Sequence, residues 1–208
     1  MNKQHMQQAL AACPLIAILR GIEPETVIAV GDALAEAGFR LIEITMNFPQ
    51  ATRSIELAAA HFAGTDIAIG AGTVLTPDEV DRVADTGGAY IISPDCNPAV
   101  IERTKERGLL AMPGIFTPTE AFTALRHGAD FLKLFPAGRL APDYIKDLKA
   151  VVPAEIIAVG GIGKANMKSY LSHAIGVGVG SSLYKAGRSA DETGQRASAM
   201  IQALNADA

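Results

Sequence analysis

A chain of 208 residues is long enough for one well-buried domain and short for two. Hydrophobic residues make up 49% of the chain and charged residues 19%, which is typical of a folded globular protein rather than a disordered one. The net charge of -4 excludes a general attraction for nucleic acid or for an anionic membrane, so any bound anion needs a local site. No apolar run approaches the roughly 18–20 residues that a membrane-spanning helix requires.

The cysteines and histidines follow no known framework. Cys13 and Cys96 are too few for a disulfide scaffold and match no zinc spacing. The histidines stand at positions 5, 61, 127 and 173 with no ligand spacing between them, so we expect no metal site. The first residues lack the apolar core of a secretory signal, which favours a cytoplasmic location as the default.

Eight short apolar runs, each typical of a buried strand, recur along the chain with starts 20 to 26 residues apart. They are Leu15–Gly21, Leu41–Asn47, Ile67–Val74, Ala89–Asp95, Leu109–Ile115, Phe131–Ala137, Ile156–Gly161 and Gly176–Ser182. Between them lie helical patterns, most of which open on a proline and an acid in the first turn and close on a glycine. Residues 3–12 are predicted to form a short helix before the first strand.

Strict alternation of eight strand–helix units predicts a parallel sheet with right-handed crossovers, and eight is the number that closes into a ring. We therefore predict an α/β fold, a single (β/α)₈ TIM barrel that spans 1–208, with the short N-terminal helix covering its floor. An open doubly wound sheet is the alternative. It would be expected to carry a glycine-rich turn after the first strand, where this chain has Arg20-Gly21-Ile22.

Three charged residues, Arg20, Glu43 and Lys133, fall within predicted strands that are buried on both faces. Side chains alternate along a strand, so Leu41, Glu43 and Thr45 are expected to face the barrel interior while their neighbours face the helices. The same parity turns Lys133 inward. Glu43 and Lys133 are therefore predicted to face one another inside the barrel.

Two interpretations of this pair remain open. The first is a structural ion pair that fills the barrel. The second is catalysis, because a lysine surrounded by Phe131, Phe135 and Pro136 is desolvated, which lowers its pKa and makes the free amine available. An amine condenses with a ketone to an iminium that withdraws electrons from a neighbouring C–C bond, and a carboxyl group nearby can move protons.

The last two predicted strands each run into a glycine-rich loop, Ala158–Gly163 and Gly178–Leu183. In (β/α)₈ barrels these two loops commonly bind phosphate through backbone N–H groups, and Ser181 or Ser182 could add a hydroxyl. Either cluster alone could instead be tight-turn chemistry. Arg20 is suited to a carboxylate, unless it forms a salt bridge to a barrel acid. Thr73 could be a ligand or a cap.

Six motifs spread over nearly the whole chain carry a family resemblance: IEIT at 42–45, IGAGTV at 69–74, ISP at 92–94, MPG at 112–114, KLFP at 133–136 and VGGI at 159–162. In these the chain resembles the 2-keto-3-deoxy-6-phosphogluconate/galactonate aldolases, which are class I enzymes on a (β/α)₈ barrel and work as trimers. The resemblance implies Lys133 as the Schiff-base lysine and Glu43 as the proton donor and acceptor. It also implies the substrate-binding residues Arg20, Thr73, Pro94, Phe135, Val159, Gly160, Gly161, Gly180 and Ser181.

Two departures from the gluconate-type pattern favour the galactonate type. Asn47 stands where the gluconate type has arginine, and Val159 stands where it tends to have threonine. A valine cannot supply the hydrogen bond by which a threonine near C4 could favour one epimer. We therefore expect 2-dehydro-3-deoxy-6-phosphogalactonate as substrate, with the gluconate epimer, or both epimers, as the alternative.

The resemblance further implies a homotrimer, a phosphorylated 2-keto-3-deoxy sugar acid as the small-molecule partner, and no metal or organic cofactor. Two other functions stay open. A phosphosugar isomerase or epimerase would use a carboxylate and a phosphate site without needing Lys133. A non-catalytic sensor of sugar-acid phosphates would bind without turnover.

Overall fold

The strands of the molecule are all parallel and follow one another around a ring. The computed structural model describes residues 1–206. Within that range the strands are β1 Leu15–Leu19, β2 Leu41–Thr45, β3 Ala68–Gly72, β4 Tyr90–Ile92, β5 Leu110–Met112, β6 Gly114–Ile115, β7 Leu132–Leu134, β8 Ile156–Val159 and β9 Gly176–Val179. Their order in the sheet is β5-β4-β3-β2-β1-β9-β8-β7-β6.

The ring closes through the segment that contains both β5 and β6. The sequence predicts one strand over Leu109–Ile115, and the structure divides it at Pro113, because proline has no N–H to donate to the ladder. The carbonyl of Pro113 still accepts the N–H of Lys133 at 2.9 Å, which continues the pairing into β7. The nine strands thus occupy the eight positions of the predicted (β/α)₈ barrel, and the fold prediction is confirmed.

Helices alternate with the strands. They are α1 Lys3–Ala12, α2 Pro24–Ala37, α3 Ala51–His61, α4 Pro77–Asp85, α5 Pro98–Glu106, α6 Pro118–Arg126, α7 Asp143–Lys149, α8 Met167–Leu171 and α9 Ala190–Asn205, with a 3₁₀ turn at Ala137–Arg139. Thr76 and Thr117 cap α4 and α6 with their side chains, and Gly38 ends α2 in the left-handed conformation. No helix within residues 1–206 has the length and apolar character needed to cross a bilayer.

Two apolar clusters lie on opposite faces of the sheet. Ile42 and Ile44 of β2 belong to the large cluster between the sheet and the helices. Leu41 and Phe131 belong to the smaller cluster inside the barrel. The parity predicted from the sequence is therefore confirmed for the apolar residues that flank Glu43 and Lys133.

Helix α1 closes the amino-terminal end of the barrel, as predicted. Met6 and Leu10 of this helix are fully buried in the interior cluster. Gly176, the first residue of β9, lies so close to Leu10 that an added Cβ would come within 2.7 Å of the leucine side chain. With the floor filled in this way, a ligand enters the barrel interior from the carboxyl ends of the strands.

Candidate active site

Glu43 and Lys133 lie on opposite sides of the barrel interior. Their strands, β2 and β7, are separated in the ring by β1, β9 and β8. Glu43 is 2% exposed and Lys133 is 6% exposed. Burying a charged side chain costs free energy, so two such residues among apolar neighbours need a functional or structural reason.

Burial shifts both pKa values toward the neutral forms. It raises the pKa of Glu43, against the opposing effect of the positive charges of Lys133 and Arg20. It also lowers the pKa of Lys133, with Arg20 lowering that pKa further and Glu43 raising it. The Lys133 Nζ lies 4.8 Å from the centroid of the Phe135 ring, so this aromatic residue does adjoin the lysine, as the sequence predicts.

The two charged groups interact at a distance and do not pair. Among the ion pairs of the described residues, none joins Glu43 to Lys133 and none involves Arg20. The structural ion pair considered from the sequence is therefore not formed, and neither is the salt bridge considered for Arg20. An unpaired, buried lysine supplies neutral amine more readily than a paired one.

Two glycines on the inward face of β3 make room for the large side chains around Glu43. An added Cβ at Gly72 would overlap the Glu43 carboxyl group, and one at Gly70 would overlap the Tyr90 ring. Tyr90 is fully buried, and its hydroxyl donates to the carbonyl of Ile42 at 2.8 Å. The carboxyl group of Glu43 therefore leans across β3 above the tyrosine.

A cavity of about 910 Å³ opens at the carboxyl ends of β1, β8 and β9. Its lining includes most of the predicted substrate-binding residues, namely Arg20, Phe135, Val159, Gly160, Gly161, Gly180 and Ser181. Glu43 and Lys133 are not part of this lining, although Ile18, which is in register with Glu43, and Phe135, whose ring faces Lys133 Nζ, both are. Lys164 and Lys185 also line the cavity, and no Asp or Glu does. The cavity is positively charged in a protein of net charge -4.

The loops after β8 and β9 are braced by their own side chains. Asn166 accepts the Gly163 N–H at 2.9 Å and donates to the Gly161 carbonyl at 3.0 Å. The Ser182 hydroxyl donates to the Ile162 carbonyl at 2.9 Å, which ties the two loops together and leaves Ser181 as the serine with an unengaged hydroxyl. Within the described backbone, the N–H of Ser181 donates to no carbonyl, so it is available to an anion.

Thr73 and Pro94 lie outside the lining of this cavity. Thr73 follows β3 with a φ of 57°, the one non-glycine residue among 1–206 with a left-handed backbone. The cap that Thr73 could have provided comes from Thr76. The Pro94 carbonyl lies against Gly114, where an added Cβ would overlap it. The structure thus places both residues at the carboxyl ends of β3 and β4, outside the wall of this cavity.

A family model described as KDPG and KHG aldolase matches residues 6–199. The chain belongs to this aldolase family. The aldolase is 50% identical over 198 residues to the "Probable 2-dehydro-3-deoxy-6-phosphogalactonate aldolase" of Rhizobium meliloti, covering 93% of this chain and 92% of that protein. It is 45% identical to the 2-dehydro-3-deoxy-6-phosphogalactonate aldolase of Escherichia coli, covering 91% and 94%.

A solved structure described as "Native KDPGal structure" superposes on this aldolase with a TM-score of 0.88 at 43% identity, covering 92% of this chain and 94% of that one. The 2-dehydro-3-deoxy-phosphogluconate aldolase of Treponema pallidum is 29% identical, covering 80% of this chain and 79% of that protein. These relatives confirm the family predicted from the six motifs.

Four residues at the site were given no functional role from the sequence alone. Gly72 and Asn166 look like ordinary turn or strand residues until their neighbours are known. Lys164 and Lys185 each follow a phosphate-loop motif closely, and their position in the sequence could have drawn attention to them.

Proposed function

We propose that this aldolase cleaves 2-dehydro-3-deoxy-6-phosphogalactonate to pyruvate and D-glyceraldehyde 3-phosphate through a Schiff base on Lys133. The observation that carries the proposal is a buried amine and a buried carboxyl group that share one barrel interior without forming an ion pair. An amine with a lowered pKa is more readily available as the neutral nucleophile that attacks a ketone, and a carboxyl group with a raised pKa is more readily protonated and can act as a proton donor.

The cycle begins when the neutral amine of Lys133 attacks the C2 carbonyl carbon to form a carbinolamine. Glu43 gives a proton to the departing hydroxyl group, so water leaves and the iminium remains. The carboxylate of Glu43 then takes the C4 hydroxyl proton while the electrons of the C3–C4 bond move toward the iminium nitrogen. D-glyceraldehyde 3-phosphate leaves, the enamine is protonated at C3, and hydrolysis releases pyruvate and the free amine.

The ends of the substrate are assigned to two groups of residues. Arg20 and Thr73 would hold the carboxylate, with Pro94 and Phe135 shaping the pocket beside it. The phosphate would lie against the loops after β8 and β9, on Gly161, Gly180 and Ser181, with the neighbouring Gly160. Binding energy gained at the phosphate positions the reacting carbons, which lie far from it.

The galactonate epimer is favoured by the relatives and by Val159. The two relatives that carry the galactonate name are 45–50% identical, and the gluconate-type relative is 29% identical. Val159 lines the cavity and is 5% exposed, so an apolar surface stands where a threonine could hydrogen-bond the gluconate epimer. We expect kcat/KM to be higher for the galactonate 6-phosphate than for the gluconate 6-phosphate, and Val159→Thr to narrow the ratio by about 10-fold.

The test is borohydride reduction in the presence of pyruvate, followed by intact-protein mass spectrometry and peptide mapping. We expect one adduct per chain on Lys133 and none in Lys133→Met, which matches the length of the lysine stem and removes the amine. Absence of an adduct in the unmodified protein would refute the mechanism. Turnover that survives Lys133→Met would favour an isomerase or epimerase, and ligand binding without turnover would favour a sensor.

We also propose that the aldolase is a cytoplasmic homotrimer, as the family resemblance implies. Large apolar side chains that remain exposed on the single chain, among them Leu75, Phe116 and Phe122, support an interface between copies. Light scattering coupled to size-exclusion chromatography should give three times the chain mass, and a monomer mass at micromolar concentration would contradict the proposal.

A further inference from the structure

Two buried side-chain oxygens inside the barrel have no hydrogen-bond partner within residues 1–206. They are Oε2 of Glu43 and Oγ1 of Thr45. Thr45 is 0% exposed and Glu43 is 2% exposed. Buried polar atoms are nearly always hydrogen-bonded in folded proteins, so two such atoms on one strand call for a common explanation.

The two oxygens belong to the same layer of the barrel interior. Glu43 and Thr45 are two residues apart on β2, and their side chains therefore point to the same face of the sheet. Thr45 is in register with Gly72 of β3, and the carboxyl group of Glu43 lies over that same glycine. The carboxyl group thus reaches up to the level of the threonine side chain, at the end of the strand that opens to the site.

A threonine that merely packed in the barrel would have no need of its hydroxyl at this position. Valine has the same shape, is the commoner choice for a buried strand, and leaves no polar atom unpaired. A small polar molecule that donates two hydrogen bonds would satisfy both oxygens at once. The proposed reaction uses such a molecule, because water is the reactant that hydrolyses the iminium.

We propose that Thr45 is a positioning residue for the hydrolytic half of the reaction, in which its hydroxyl oxygen and Oε2 of Glu43 together hold the water that attacks the iminium. This inference rests on the proposed function. The water donates one hydrogen to each oxygen, so a lone pair is left to point at C2.

The step balances without any further reactant. The water oxygen bonds to C2, the iminium π electrons move to the Lys133 nitrogen, and Glu43 takes the proton. The Glu43 carboxylic acid then protonates that nitrogen, and its carboxylate takes the hydroxyl proton as the C2–N bond breaks. The products are pyruvate, the neutral amine and a protonated Glu43, which is ready to assist the next dehydration.

Removing the Thr45 hydroxyl should slow water attack and spare the earlier cleavage of the C3–C4 bond. Glu43 retains its role as base, and only the orientation of the water is lost, so we expect hydrolysis to slow by about 10- to 100-fold. Hydrolysis then limits turnover, and enzyme accumulates as the Lys133 imine or enamine after the aldehyde has left.

The experiment compares Thr45→Val, which is isosteric and lacks the hydroxyl, with Thr45→Ser, which keeps it. Rapid quenching of the full-length protein with the galactonate 6-phosphate should show, in Thr45→Val, a burst of glyceraldehyde 3-phosphate approaching one per site, followed by slow release of pyruvate. Borohydride added in the steady state should trap a larger fraction of Lys133 than in the unsubstituted protein. Thr45→Ser should restore kcat and abolish the burst.

The outcomes separate this inference from the proposed function. A normal Lys133 adduct in the unsubstituted protein, with no burst and no rise in trapped adduct in Thr45→Val, overturns the role of Thr45 alone. No adduct in the unsubstituted protein overturns the imine mechanism and the inference with it. Should Thr45→Val fold poorly, Thr45→Ala also lacks the hydroxyl and relieves crowding, and it must show the same burst.

Discussion

Replacing Gly72 with alanine should remove most of the activity by displacing Glu43. An added Cβ at this position would lie 2.7 Å from Cγ of Glu43 and would overlap the carboxyl group itself, whereas real Cβ atoms essentially never come within 3.0 Å of a neighbour. Gly72 is held in β3 by its pairing with Thr45 and Ile92, so the backbone has little freedom to move. The glutamate side chain must rotate away instead.

The expected loss follows from that displacement. A positioned general acid–base contributes about 10²- to 10⁴-fold to rate, which is ~2.7–5.4 kcal/mol in activation free energy. The extra methyl group should also lower the free energy of unfolding by about 1–3 kcal/mol, as overpacked cores do. A coupled lactate dehydrogenase assay for pyruvate gives kcat, and urea denaturation gives the stability.

Gly70→Ala is the matched control. Its added Cβ would overlap the Tyr90 ring rather than the Glu43 carboxyl group, so we expect a comparable loss of stability with a much smaller loss of kcat. In the Gly72→Ala background, Glu43→Asp shortens the side chain and should recover part of the lost stability, which a double-mutant cycle would register as coupling. A kcat for Gly72→Ala within about 3-fold of the unsubstituted value would refute the reasoning, because Glu43 could not then be acting from its present position.

Two further predictions concern charge. Glu43→Gln removes the negative charge that raises the pKa of Lys133, so the pKa of that amine should fall further. The acid limb of the pH profile for borohydride trapping with pyruvate should therefore move to lower pH. A shift to higher pH would contradict the electrostatic coupling. Lys164→Gln and Lys185→Gln should each raise KM for the phosphorylated substrate by about 3- to 10-fold with kcat retained, and the effect should shrink in high salt. The control Lys146→Gln, on α7, should change neither KM nor kcat. Unchanged KM in the Lys164→Gln/Lys185→Gln double variant would contradict a role for the two cavity lysines in attracting phosphate.

The barrel could be predicted from the sequence because its signals are local and repeated. Strand-like runs, proline and threonine at helix starts, and glycine at helix ends recur in each unit, and each depends on only a few neighbouring residues. The division of the fifth strand was missed because Pro113 stands within an otherwise strand-like run. Strand ends were also predicted too long. The sequence placed Arg20 within the first buried strand, whereas β1 ends at Leu19 and Arg20 lies exposed in the turn that follows.

The charged pair was predictable for a different reason. Glu43 and Lys133 are conspicuous in runs that are otherwise apolar, and strand parity suffices to turn them inward. Thr45 carries no such signal, because threonine is an ordinary strand residue whose unpaired hydroxyl is visible only in three dimensions. Gly72 carries no signal in the sequence either, since its role is to leave space for the Glu43 side chain of the neighbouring strand.

The same glycine explains how the barrel keeps its acid and its amine apart. Had Gly72 carried a side chain, the Glu43 carboxyl group could not lean over β3 and would have to turn toward the barrel centre. A carboxylate close to Lys133 would hold the lysine as an ammonium ion, which cannot attack a ketone. With the carboxyl group above Gly72 and the amine beside Phe135, the two groups stay apart, and burial keeps the pKa of Lys133 below its usual value.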